Sequence, residues 1–291
     1  MDRCRTTTLG NQKGFTLLEI AVVMIIIGIL AGGGMSLMKM LTERKARTET
    51  VDYLKQARET LISFTVNNGR LPWADSDGDG IENNGAISGT LPYQTLGMAP
   101  ADAYRRTLGY GVNANLAINR YASCQALRAG LAAPPSIVDA DGTGTAFAVA
   151  AVLVSAGPMD ADGNGNVFDA IAAGTYQGNN TNGVPNYLRH PPIAAFDDLA
   201  IYLSANALSA DLCEYLALAV NNNSGGTVHL FDATQLQDVG SISDGATGIF
   251  NVISGSRFEL RSSSGGGGSL VASTPPTPIA LAGHGATLNL P

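Results

Sequence analysis

Three loops of this 291-residue chain carry oxygen-bearing side chains at alternate positions, each followed by a glycine. Oxygen ligands at this spacing suit a hard cation such as Ca²⁺, and closely packed carboxylates repel one another unless a cation neutralises them. The first loop contains Asp75, Asp77, Asp79 and Gly80. The second contains Asp160, Asp162, Asn164 and Gly165, with Asp169 further along the chain. The third contains Asp139, Asp141, Thr143 and Gly144. The number of acidic ligands favours Ca²⁺ binding in the first and second loops over the third.

None of the three loops is a complete EF-hand. The first has Ala86 at the twelfth position, where an EF-hand has a bidentate glutamate, and the second also lacks an acid there. Asp, Asn and Gly are also the usual residues of solvated turns. Two interpretations of each loop therefore stay open, a cation site and a polar turn.

The sequence lacks the common catalytic patterns. His190, His229 and His284 are scattered, without a zinc-ligand spacing, and neither a Gly-x-Ser-x-Gly elbow nor a P-loop is present. Asp197 and Asp198 are adjacent, and adjacent strand residues point to opposite faces, so we do not expect them to face one substrate together. The sequence therefore predicts a protein that is not an enzyme.

The three cysteines are Cys4, Cys124 and Cys213. If the segment that carries Cys4 is removed, an even pair remains, and an even pair in an exported protein suggests one disulfide. Two buried, unpaired thiols are the alternative, because the sequence does not give the distance between the two residues.

The N-terminal part of the chain has a long uncharged stretch, residues 20–38, preceded by a short basic segment. Together with residues 15–19 it predicts a helix about 30 Å long or a little more, enough to cross a bilayer. A secretory signal peptide would have a shorter apolar core, and a plain membrane anchor would gain nothing from Glu19. A carboxylate near the end of a membrane helix is costly and is by default functional.

The stretch Lys13-Gly14-Phe15-Thr16-Leu17-Leu18-Glu19-Ile20 resembles the processing motif of type IV pilins and type II secretion pseudopilins. The resemblance covers roughly the first 55 residues. It implies that a prepilin peptidase cuts between Gly14 and Phe15 and N-methylates Phe15, and that Glu19 serves in assembly. In the bilayer the Glu19 carboxylate would seek a cation, which the free amino group of Phe15 in a neighbouring subunit can supply.

The resemblance also implies partners and a location. The partners are other pilin or pseudopilin subunits, the peptidase, an inner-membrane assembly platform and, before assembly, membrane lipid. The chain would be a single-pass protein of the bacterial inner membrane, with its head in the periplasm or exposed on an extracellular filament. Major pseudopilins carry a Ca²⁺ loop in the part of the head that corresponds to Asp160, Asp162 and Asp169.

The expected fold is α+β and pilin-like, with a long N-terminal helix, transmembrane and then amphipathic, packed on an antiparallel β-sheet head with long loops. Its predicted parts are a leader (1–14), a stalk helix (15–68) capped by Asn68 and Gly69, a globular head (69–220), an appended β segment (221–261) and a flexible Ser/Gly/Pro-rich tail (262–291). Within them the pattern predicts strands at 145–155, 197–203, 227–231, 249–253 and 257–261, and a helix at 209–220.

The formal net charge is −7, which argues against nucleic acid as a partner and suits a protein that collects divalent cations. We therefore expect a structural subunit, minor rather than major because the head is large, of a pilus or a secretion pseudopilus. The alternative is a solitary, membrane-anchored adhesin or binding protein that uses a pilin-like terminus only for export.

Overall fold

The computed structural model describes residues 16–141, 144–174, 176–181, 186–280 and 285–291, and the chain divides into two compact units, Met1–Thr48 and Glu49–Pro291. The helices of the described residues are α1 (Leu17–Asn68), α2 (Ala114–Ile118), α3 (Arg120–Ala129) and α4 (Ala205–Leu212). The strands are β1 (Ser88–Thr90), β2 (Gly109–Val112), β3 (Ser136–Asp139), β4 (Phe147–Ala148), β5 (Ala151–Ser155), β6 (Ala170–Ile171), β7 (Gly178–Asn179), β8 (Asn186–Arg189), β9 (Leu199–Leu203), β10 (Tyr215–Asn221), β11 (Val228–Asp232), β12 (Gln237–Ile242), β13 (Thr247–Ile253), β14 (Arg257–Arg261), β15 (Ile279–Ala280) and β16 (Ala286–Asn289).

The long helix α1 ends where the sequence predicted. Gly69 has φ 74°, the left-handed conformation that stops a helix, and its N–H donates to the carbonyl of Thr65 at 2.8 Å. In the second half of the helix Leu54, Ala57 and Leu61 are fully buried at helical spacing. This confirms the amphipathic part of the predicted helix.

The first part of α1 exposes large apolar side chains, which are Leu17, Leu18, Ile20, Val22, Val23, Met24, Ile25, Ile26, Ile27, Ile29, Leu30, Met35, Leu37, Met38, Met40 and Leu41. The sequence predicted that this part crosses a bilayer. Among the residues that the structure describes, no helix combines the length and the apolar character that a membrane crossing needs.

The sheet β1-β2-β5-β9 is antiparallel throughout and lies at the centre of the head. Leu153 on β5 and Tyr110 on β2 are register partners and share one core with Leu54 and Leu61 of α1. The opposite face of β5 buries Val152 and Val154 in a second core. Burial on both faces explains why the first four positions of this strand, residues 151–154, are all apolar.

A second sheet, β4-β3-β8, takes its strand β4 from the same apolar stretch of sequence that contains β5. The sequence predicted one strand over 145–155, and that prediction is wrong in its continuity. β4 pairs with β3, whereas β5 pairs with β2 and β9, and the chain passes from one sheet to the other at Val149 and Ala150. β3 and β8 are parallel, and the small hairpin β6-β7 follows the second loop.

The prediction of a helix at 209–220 is also wrong. α4 ends at Leu212, and β10 follows with strictly alternating burial, so that Leu216, Leu218 and Val220 point into a core. A period of two is the signature of a strand, and it outweighs the helix propensity of the Ala and Leu residues.

The C-terminal strands form two sheets, β13-β10-β16 and β12-β11-β14-β15, around one core. This confirms the strands predicted at 227–231, 249–253 and 257–261. The prediction of a flexible tail is wrong for its last residues, because β16 pairs in parallel with β10, and Leu288 in this strand and Leu290 just after it are buried. The serine, glycine and proline content of the tail concealed this short strand, in which apolar and polar residues alternate.

Candidate functional site

The structure describes Glu19 of the predicted processing segment, whereas Gly14 and Phe15 lie outside the described residues. The N–H of Glu19 donates to Thr16 Oγ1 at 3.2 Å, and its Oε2 accepts from the N–H of Thr16 at 3.4 Å. This reciprocal pair is a capping box, which satisfies two of the N–H groups that a helix leaves without partners at its start. The carboxylate is therefore held at the beginning of α1.

The first loop gathers Asp75, Asp77 and Asp79, whose carboxylate oxygens come within 4.8 Å of one another. Asp75 is 1% exposed; its Oδ1 accepts from the N–H of Gly78 at 2.6 Å, and its Oδ2 from the N–H of Gly80 at 2.8 Å. Burial acts to raise the pKa of Asp75, but these hydrogen bonds outweigh it and hold the pKa below its usual value. Backbone donors thus already stabilise its charge.

The second loop repeats this geometry. Asp160 accepts from the N–H of Gly163 at 2.8 Å and from that of Gly165 at 2.9 Å, the same two sequence offsets as in the first loop. Gly163 and Gly165 have φ 71° and 85°, as their counterparts Gly78 and Gly80 have φ 85° and 84°. Both loops therefore use the pattern Asp-x-Asp-Gly-x-Gly, whose first glycine the spacing argument did not use.

Asp169 closes the second loop from inside the protein. It is fully buried, and its Oδ1 accepts from the N–H groups of Ala161 and Asp162 at 2.8 and 3.2 Å. Its Oδ2 accepts from the N–H of Asp197 at 2.7 Å. The carboxylates of Asp160, Asp162 and Asp169 come within 4.8 Å of one another, so this loop brings together three of the four side chains predicted for it.

A second cluster of three carboxylates shares Asp169 and adds Asp197 and Asp198. Asp198 is 1% exposed; its Oδ2 accepts from the N–H of Asp169 and from Asn180 Nδ2, while its Oδ1 is buried without a hydrogen-bond partner among the described residues. Burial, together with the charges of Asp169 and Asp197, raises the pKa of Asp198 to about 8, although its hydrogen bonds from Asp169 and Asn180 act to lower it. A buried carboxylate in this state accommodates either a proton or a cation.

The sequence argument about Asp197 and Asp198 is wrong. It assumed that both lie in a strand and face opposite sides, but β9 begins only at Leu199. Both residues precede the strand, where the chain is free to direct the two carboxylates to one place. In the sequence, the pair of aspartates just before the start of a strand was the feature that could have indicated this carboxylate cluster.

In the third loop the positive charge comes from a side chain of the protein, Arg189. Arg189 Nη1 donates to Asp139 Oδ2 at 2.8 Å, and Nη2 donates to Asp141 Oδ2 at 2.7 Å. Parallel pairing of β3 with β8 places Asp139 opposite Arg189. A guanidinium therefore stands where the spacing suggested a metal ion, and Thr143 lies outside the described residues.

Cys124 and Cys213 form a disulfide, with their Cα atoms 5.5 Å apart. It joins α3 to the turn between α4 and β10 and packs with Leu212 and Ile253. The pair that the cysteine count suggested is thus the pair that the structure joins.

Comparison with known proteins bears on the N-terminal segment. Residues 9–35 match the family model described as the prokaryotic N-terminal methylation motif. The N-terminal segment therefore carries a prepilin-type methylation motif. The chain is also 33% identical over 105 residues to fimbrial protein EcpB of Eikenella corrodens, an alignment that covers 36% of this chain and 64% of that protein. No solved structure matches the chain.

Proposed function

We propose that this protein is a structural subunit, most simply a minor one, of a type IV pilus or a type II secretion pseudopilus. The methylation motif at residues 9–35, with Glu19 inside it, carries this proposal. The similarity to a fimbrial protein supports it. A catalytic activity is not part of the proposed function.

In this proposal a prepilin peptidase cuts between Gly14 and Phe15 and methylates Phe15. The apolar start of α1 anchors the chain in the inner membrane until an assembly platform moves it into the filament. There the exposed apolar side chains pack against the helices of neighbouring subunits, gaining about 25 cal/mol per Å² of apolar surface buried. Glu19 pairs with the amino group of Phe15 in a neighbour and sets the register between subunits. The head lies in the periplasm or on the extracellular filament.

Replacing Glu19 tests the assembly role. We expect Glu19→Val to be cleaved normally but to be lost from the sheared filament fraction. The matched control is Glu43→Val on the same helix, because Glu43 is exposed and its ion pair with Lys39 is a long one, at 3.8 Å. Equal recovery of both variants in filaments would refute the assembly role of Glu19.

We also propose that the head binds Ca²⁺, chiefly at the second loop. The carboxylates of Asp160, Asp162 and Asp169 supply ligands, Asn164 lies within the same loop, and the neighbouring Asp197 and Asp198 add charge. The unpartnered oxygen of Asp198 supports this assignment, because a cation would compensate it. Asp75, Asp77 and Asp79 form a second, weaker site in this proposal, since backbone N–H groups already satisfy Asp75.

Calorimetry on the full chain in detergent tests the calcium site. We expect heat on addition of Ca²⁺ and a lower melting temperature in chelator. Asp160→Asn together with Asp162→Asn should remove most of the heat, whereas the matched pair Asp77→Asn and Asp79→Asn should remove little. A wild-type chain without heat or a chelator effect would dispose of the site.

A solitary anchored adhesin is the second candidate. The C-terminal sheets, with a core of their own around Leu218 and Phe258, favour it, because they enlarge the head beyond the pilin-like sheet. Crosslinks between residues near Glu19 of neighbouring copies would support the subunit, and their absence from intact cells would support the adhesin.

A further inference from the structure

One arginine side chain spans the base of the second loop. Arg106 Nη1 donates to the carbonyl of Ala156 at 2.7 Å and to that of Val167 at 3.4 Å, and Nη2 donates to the carbonyl of Pro158 at 3.2 Å. Ala156 and Pro158 belong to the arm that leaves β5, and Val167 belongs to the arm that returns. A single guanidinium therefore connects the two arms of the second loop. Asp160 and Asp162 lie in the part of the loop between these arms.

The backbone around Arg106 is itself held in place. The N–H of Arg106 donates to Asp102 Oδ1 at 3.0 Å, and the N–H of Asp102 donates to the carbonyl of Arg106 at 3.0 Å. Ser155, the last residue of β5, donates its hydroxyl to the other oxygen of Asp102. The arginine is thus anchored to the strand from which the second loop departs.

Arg105 has φ 63°, a conformation that is unfavourable for a residue with a Cβ. Such strain persists where the surroundings fix the backbone, and it is common beside functional sites. Here it accompanies the tight turn from Asp102 to Arg106, which is closed by the N–H of Arg105 donating to the carbonyl of Asp102 at 3.0 Å.

The two arginines at the acidic loops act in opposite ways. Arg189 binds the carboxylates of Asp139 and Asp141 directly and so takes the place of a cation in the third loop. Arg106 binds only backbone carbonyls of the second loop, which leaves the carboxylates available. A planar guanidinium with five donors can hold several carbonyls at once, whereas an ammonium group is a compact point charge on a flexible stem.

We infer that Arg106 is the positioning residue of the cation site in the second loop. By fixing the distance between the two arms it keeps the carboxylates of Asp160, Asp162 and Asp169 close together before the ion arrives. This inference rests on the proposed Ca²⁺ binding. Outer contacts of this kind typically change metal affinity 10–100-fold when they are removed.

The test compares Ca²⁺ affinities of full-length variants in detergent, measured by calorimetry. We expect Arg106→Gln and Arg106→Lys each to weaken Ca²⁺ binding by about 10–100-fold. Lysine keeps the charge but cannot bridge both arms, so it should not rescue the affinity. The matched control is Arg189→Gln, which removes the other loop arginine and should leave the affinity of the second loop unchanged.

Hydrogen exchange in chelator gives a second measurement that needs no ion. The N–H groups of Gly163 and Gly165 should exchange faster in Arg106→Lys than in wild type, and at the wild-type rate in Arg189→Gln. Wild-type affinity in both Arg106 variants would overturn the positioning role while leaving the calcium site intact. A wild-type chain that binds no Ca²⁺ would instead remove the site itself, and the inference with it.

Discussion

The first and second acidic loops have the same backbone geometry, but a further buried carboxylate, that of Asp198, adjoins the second. In the first, hydrogen bonds from Gly78 and Gly80 lower the pKa of Asp75 in spite of its burial. In the second, burial raises the pKa of the adjoining Asp198 to about 8. Asp75 therefore contributes stability that is complete above its ordinary pKa and is lost as the pH falls through its lowered value. Asp198 is best accommodated when protonated, so its contribution falls as the pH rises from its unfolded value towards about 8.

This difference shows that ligand spacing alone does not distinguish a cation site from a turn. Asp-x-Asp-Gly-x-Gly produces the same glycine-assisted bend in both places. What differs is the buried carboxylate of Asp198 beside the second loop, one oxygen of which has no hydrogen-bond partner among the described residues, and only the tertiary structure brings it there. A loop whose charge is satisfied by its own N–H groups gains less from an ion than one with an unpartnered carboxylate oxygen.

The largest expected effect comes from removing the buried carboxylate of the first loop. Asp75→Ala leaves the N–H groups of Gly78 and Gly80 without acceptors and should cost about 4 kcal/mol of unfolding free energy in chelator. Urea denaturation measures this loss. The exposed Asp77→Ala is the control and should cost less than about 0.5 kcal/mol. Equal costs would mean that the first loop is not held by its own hydrogen bonds.

Close packing at the base of the second loop predicts the next effect. A Cβ at Gly157, which has φ 59°, would lie 2.3 Å from Asp197 Oδ1, so Gly157→Ala should destabilise the fold by about 3 kcal/mol. Gly163→Ala is the matched control, because its φ is equally positive but no atom lies within 4 Å of the added group. It should cost about 1 kcal/mol. Thermal unfolding of the two variants side by side distinguishes the close contact with Asp197 from the backbone strain that both variants share. Equal shifts in melting temperature would show that the contact with Asp197 adds nothing.

The smallest expected effect tests the raised pKa of Asp198. Asp198→Asn cannot ionise, so in chelator its stability relative to wild type should increase by about 2 kcal/mol between about pH 6 and pH 8. With saturating Ca²⁺ at pH 8 the order should reverse, because the variant binds the ion less well. Melting curves at the two pH values check both statements. A difference that does not depend on pH would show that Asp198 titrates normally.

Much of the fold was accessible from the sequence where one periodicity dominates. The helix α1, its end at Gly69 and the strand β14 follow from local patterns. The errors lie where local propensity and tertiary pairing disagree. Ala-rich β10 looked helical, and β16 lay within a tail whose composition suggested flexibility, although its pairing partner is some 70 residues earlier in the chain.

The site was predictable only in part for the same reason. The spacing of the acidic residues identified Asp75, Asp160 and their neighbours. The residues that make the second loop a better candidate for cation binding than the first come from distant segments of the chain. Asp198 reaches the second loop only through the sheet, and Arg106 reaches it from the turn before β2. The local sequence does not indicate the contact of Arg106, and the paired aspartates before β9 do not indicate which loop they reach.

Mass spectrometry of the N terminus of the protein isolated from cells tests the proposed role as a pilin-like subunit most directly. A chain that begins at Phe15 and carries one added methyl group is the predicted result. A chain that still begins at Met1, or one that begins beyond the apolar segment, would contradict processing and assembly through this helix.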